Sequence, residues 1–155
     1  KRLRLKIVLR IADVLMAKGQ SEEALMFLKR QLKQNYLPAI EQKMILVHFL
    51  TDDPDSTMKI VQSSFITMSP IDPSFNDLME LKNILTQYYN NEPSGKITFK
   101  HFLKAEWYLR QRKIGDAIRE LNFLSNQDSM AAIAPLAMLR RCLLHYRLKE
   151  YDKSL

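Results

Sequence analysis

Three histidines, one cysteine and a knot of aspartates are the residues of this chain whose types could do chemistry. His48, His101 and His145 could serve as ligands or general bases, but each stands in a different helical stretch among apolar neighbours, as in "LVHFL" and "LLHYR". They are read as packing histidines, their helices carrying no carboxylate or cysteine at ligand spacing, and no metal is expected. Cys142 is the only cysteine, so no internal disulfide can form, and its surroundings fit packing better than a nucleophile. Asp52, Asp53 and Asp55 are close together and acidic, as in a calcium loop, yet the required glycine and distal glutamate are missing. They read as turn residues and a helix cap. There is no phosphate loop and no dinucleotide fingerprint. No cofactor is expected, and the chain is read as a protein without an enzymatic activity.

The elements that carry these residues are helices. The 155 residues are 46% hydrophobic and 26% charged, with 3 glycines and 6 prolines, and this favours helix over sheet. Apolar spacing predicts helices over 3–18, 21–34, 38–51, 55–68, 73–90, 97–112, 114–125, 130–147 and from 150 onward. The breaks carry turn chemistry at Gly19, at Asp52-Asp53-Pro54-Asp55, at Ser69-Pro70 with Asp72-Pro73, and at Glu92-Pro93-Ser94-Gly95. No stretch reaches the roughly 18 to 20 apolar residues of a membrane span, so no membrane insertion by this segment is expected. The chain opens at Lys1 without a methionine and breaks off inside a helical stretch, so a longer protein is expected.

Small residues recur at a spacing of twelve. Ala12 and Ala24 flank Gly19; Ala105 and Ala117 repeat the interval within "KAEWYLRQRKIGDAI"; Cys142 and Ser154 repeat it again. Thirty-four residues beyond the first copy stand Leu46 and Met58, with Asp53 at the turn and Pro70 after the pair. Two antiparallel helices approach to about 8–10 Å only where crossing side chains are short, which explains an alanine at 24 among Leu25, Phe27 and Leu28.

These residues resemble the tetratricopeptide repeat, a helix pair of 34 residues with small side chains at its eighth and twentieth positions and often proline at its thirty-second. The resemblance covers about 5–70 and 98–155 and implies an all-α fold, a right-handed α-solenoid of antiparallel helix pairs. One repeat domain over 1–155 is expected, with two repeats in 5–70, an irregular helix at 73–91, and two repeats in 98–155, the last incomplete. Leu46 and Met58 depart from the pattern and should hold their helices farther apart. The final copy also resembles the C-terminal repeats of bacterial envelope and secretion-associated proteins, which implies an envelope location, with the cytoplasm as the alternative.

The resemblance further implies a scaffold that binds a protein or peptide along a groove lined by the first helix of each pair. Carried over residue by residue, that groove receives Lys6, Leu9, Arg10, Asp13 and Met16, then Lys43, Val47 and Leu50. From the later pairs come Phe99, Phe102, Glu106, Leu109 and Arg110, and finally Leu139, Arg140, Leu143, Tyr146 and Arg147. The asparagine–lysine set with which some relatives clamp a terminal carboxylate is not reproduced.

Charge is unevenly spread. Basic residues outnumber acidic ones by nine to three over 1–36 and by twelve to six over 96–155, while acidic residues lead by eight to three over 37–95. Such ends could steer an acidic protein partner. Two rivals stand beside it: self-association through the open ends of a solenoid, and RNA binding by a helical repeat. The last is disfavoured because Leu9 stands where RNA-reading repeats carry Asn, Ser or Thr, and the Arg110-Gln111-Arg112-Lys113 and Arg140-Arg141 clusters lack a ladder of aromatic neighbours.

Overall fold

The computed structural model describes residues 2–90, 95–127 and 131–149. Among them the protein is all-α, with eight helices and no strand. The chain divides into two compact units, Lys1–Leu85 and Thr86–Leu155.

The first unit holds α1 (Arg2–Ala17), α2 (Ser21–Gln34), α3 (Pro38–Thr51), α4 (Pro54–Thr67) and α5 (Pro73–Leu85). Proline opens α3, α4 and α5, where its fixed φ suits the first turn and its missing N–H costs nothing. Asp53 caps α4 by accepting a hydrogen bond from the Asp55 N–H at 3.1 Å, so the aspartate knot is a turn and cap, as the sequence implied. Glu22 and Glu23 lie in the first turn of α2, where carboxylates face the positive end of the helix dipole. Packing follows a regular scheme: α1 contacts both α2 and α3, and α3 contacts α4 and α5. The interior is closed by Ala12, Ala24, Leu28, Ile45, Val61 and Leu78. Polar groups in it are satisfied, since Thr57 Oγ1 donates to the His48 carbonyl at 3.2 Å and Ser64 Oγ to Glu41 at 2.8 Å.

The second unit begins with a π-helical turn, Thr86–Asn90, followed by α6 (Gly95–Arg110), α7 (Ile114–Gln127) and α8 (Ala134–Arg147). α7 packs against both α6 and α8. Phe99, Ala105, Ala117, Leu121 and Leu124 are fully buried, and Phe99 meets Tyr89 with ring centroids 5.7 Å apart.

The helices fall within a few residues of the stretches predicted. α8 starts at Ala134 rather than 130 because Pro135 occupies its first turn, and the predicted helix over 73–90 changes to π geometry after Leu85. The helix predicted from 150 onward, with Ser154, lies outside the described residues, as does part of the Glu92-Pro93-Ser94-Gly95 turn.

The backbone repeats in step with the small residues. Gly19, Arg112 and Lys149 have φ of 79°, 59° and 61°, and they stand seven residues after Ala12, Ala105 and Cys142. In the first two turns the reversal closes with the hydrogen bonds of a Schellman motif. Gln20 N–H donates to the Leu15 carbonyl and Gly19 N–H to Met16; Lys113 N–H donates to Tyr108 and Arg112 N–H to Leu109, all at 3.0 Å. Lys149 N–H repeats the inner bond, to Tyr146 at 3.0 Å. The second pair is built differently, with the Asp53 cap and Pro54 at the equivalent place. A residue with a Cβ pays about 1 kcal/mol for the left-handed region. Arg112→Gly is therefore expected to stabilise the second unit by about 0.5–1 kcal/mol, the gain being trimmed by glycine's greater freedom in the unfolded chain. Trp107, the only tryptophan, lies in α6 and reports this as a rise in the urea midpoint of its fluorescence.

Candidate functional site

Ion pairs join α1 to α3 and α6 to α8, and in each the acceptor stands one residue after the small residue of its copy. Asp13, which follows Ala12 on α1, accepts from Lys43 Nζ on α3 at 2.9 Å. Glu106, which follows Ala105 on α6, receives a bidentate pair from Arg140 on α8, Nε to Oε1 at 2.5 Å and Nη2 to Oε2 at 2.6 Å. The hydrogen bonds to Glu106 outweigh partial burial and hold the Arg140 guanidinium above its usual pKa, so it is charged at every working pH. These four residues, all expected in the groove, are thus joined in two pairs that link neighbouring helices. Pairs of this exposure are worth about 1 kcal/mol or less apiece.

Around Glu106 and Arg140 the second unit opens into a cleft of about 740 Å³, a volume within the range of ligand sites. α6 and α8 both deliver their C-terminal turns to it. Its charged rim is formed by Arg110, Arg112 and Arg147, and its apolar lining includes Leu109, Ile114 and Leu143, with Tyr146 beside them. Tyr146 is 63% exposed and Leu143 48%. Among the described residues Arg110, Arg112 and Arg147 have no acidic partner, whereas Arg140 is engaged by Glu106.

Other expected groove residues are placed elsewhere. Phe102 is only 7% exposed, and Met16, Val47, Leu50 and Phe99 are likewise buried, so their side chains serve the interior. Lys6 and Arg10 are exposed on α1. Arg10 borders a shallow apolar surface with Ile7, Ile11 and Val14. Analogy with the repeat selects Lys6 and Leu9 there and passes over this isoleucine–valine stripe, although its spacing of three and four residues is visible in the sequence. In the second unit it misses Ile114 and leaves Arg112 in a basic cluster. The left-handed turn at Arg112 is what brings both to the cleft.

No family model, curated protein or solved structure matches the chain.

The histidines are engaged within the fold. His101 Nδ1 lies 2.6 Å from Glu120 Oε2, its ring against Phe123, and Lys104 Nζ approaches the other Glu120 oxygen at 2.7 Å. Burial raises the pKa of Glu120, but the hydrogen bonds from Lys104 and His101 prevail and lower it on balance. On α3, His48 Nδ1 meets Asp52 Oδ2 at 2.6 Å. That i,i+4 carboxylate at the C-cap of α3, and Cys142 three residues before His145 on α8, correct the reading that the histidines have no carboxylate or cysteine at ligand spacing; Asp52 serves the turn and the histidine together. His145 is buried. Among the described residues no group of three His, Cys, Asp or Glu side chains is arranged to hold a metal ion, and no helix is long and apolar enough to cross a membrane.

Proposed function

We propose that the chain is a tetratricopeptide-like repeat protein, its helix pairs stacking as a right-handed solenoid within each unit, and that it acts as a scaffold for a protein or peptide partner. The repeat reading is supported by left-handed turns recurring seven residues after the small residue in three of four copies, and by α1 and α3, each of which contacts both its own partner and the helix that opens the next stretch. The observation that carries the binding reading is the cleft between α6 and α8, where exposed Leu143 and Tyr146 stand inside a rim of arginines. Solvated apolar side chains ringed by cations are recognition chemistry, with aromatics and arginine as the usual anchors.

A photo-crosslinking amino acid placed at Tyr146 in the full-length protein, in its native cell, tests this. Protein adducts are expected there and not at Arg119 on α7, whose side chain is 78% exposed outside the cleft. Equal capture at both positions, or adducts to RNA alone, would sink the scaffold reading.

A second reading, self-association, is favoured by α1, on which Leu3, Ile7, Ile11 and Val14 are 72%, 51%, 40% and 48% exposed along one stripe. Contiguous apolar patches of this kind mark contact surfaces. Sedimentation across a range of concentrations separates the readings, a constant monomer mass counting against self-association.

A further inference from the structure

On the scaffold reading, on which its ligand class rests, the cleft of the second unit is more selective than a general contact surface. Of its four arginines, Arg140 is engaged bidentately by Glu106, while Arg110, Arg112 and Arg147 have no acidic partner among the described residues. Arginine presents a planar fork of donors that matches a carboxylate bidentately. The dipoles of α6 and α8 account for Arg110 and Arg147, which stand in C-terminal turns where cations are favoured. They do not account for Arg112, which stands beyond the last turn of α6, at φ 59°, and still lines the cleft.

The lining between these cations decides what kind of anion fits. Leu109, Ile114 and Leu143 are aliphatic. Single-stranded nucleic acid is held by flat aromatic faces on which bases stack, and of the residues lining this cleft only Tyr146 has one. Branched aliphatic side chains instead complement leucine, isoleucine, valine or methionine of a peptide. Glu106 adds a register element, because its carboxylate repels a ligand carboxylate from the neighbourhood of Arg140 and leaves the outer rim as the place where acidic groups can settle. We propose that the cleft binds an acidic protein segment in which carboxylate side chains, held by Arg110, Arg112 and Arg147, alternate with aliphatic ones seated on Leu109, Ile114 and Leu143.

The test presents the whole chain to a phage-displayed library of random twelve-residue peptides and, separately, to random twelve-nucleotide RNA. The R110Q/R112Q/R147Q variant runs alongside, its fold checked by circular dichroism and Trp107 fluorescence. Enriched peptides are expected to alternate Asp or Glu with Leu, Ile, Val or Met, to bind less tightly as salt rises, and to lose about tenfold or more in affinity to the variant. Neutral or basic peptides that bind the variant equally well would overturn the acidic chemistry while leaving a peptide scaffold standing. RNA bound more tightly than any peptide in near-physiological salt, and lost in the variant, would overturn both. Failure of any peptide to enrich would overturn the proposal as well.

Discussion

Phe99→Ala is expected to lower the stability of the second unit by about 3–5 kcal/mol, more than any other single substitution proposed for this chain. Phe99 is fully buried on α6 and its ring lies 5.7 Å from that of Tyr89, itself 2% exposed. The substitution removes the apolar area of the ring and leaves a cavity beneath a second aromatic, and helices packed on both sides limit how far the site can collapse. Domains of this size are stable by about 5–15 kcal/mol in all, so much of the reserve would go. The urea midpoint of Trp107 fluorescence reads the change, and a midpoint within error of the parent would show that Phe99 is not the keystone its burial implies.

The second large effect tests the repeat itself. Ala24→Leu and Ala117→Leu should each destabilise by about 1–3 kcal/mol through overpacking. Both alanines are 0% exposed, as are Ala12 and Ala105 on the helices packed against theirs. Three added carbons at such a crossing must push the helices apart or force strained rotamers. Thermal unfolding followed by circular dichroism measures both variants. Unchanged curves for the two would remove the physical basis of the twelve-residue spacing.

How far the sequence could be read depended on whether the signal was local. Helix positions were legible because their ends are chemical: Gly19 at a left-handed turn, Asp53 and Pro54 at a cap, Pro38 and Pro73 at helix starts. Alanines 12, 24, 105 and 117 were legible as contact points because small residues recur at one spacing inside large apolar stripes. What could not be read was which arc of each first helix faces out. α3, "PAIEQKMILVHFLT", touches α1, α2, α4 and α5, so it is apolar around most of its circumference and offers no clean stripe. Val47 and Leu50 therefore resemble groove residues in the sequence and are core in the fold. Phe102 is misassigned for a similar reason, since analogy fixes its position in a repeat but not its rotation about the α6 axis. The cleft escapes notice because Ile114 reaches it only after the chain reverses at Arg112, and that reversal has no glycine to announce it.

If the cleft binds as proposed, durability and recognition compete at position 112. The same substitution to glycine that should strengthen the turn would delete one of three cations offered to an acidic partner. Glycine fills the matching position at 19, whereas Arg112 and Lys149 hold it with a Cβ. On the proposed binding role, the α6–α7 turn is the place where engineering for stability and engineering for binding pull in opposite directions.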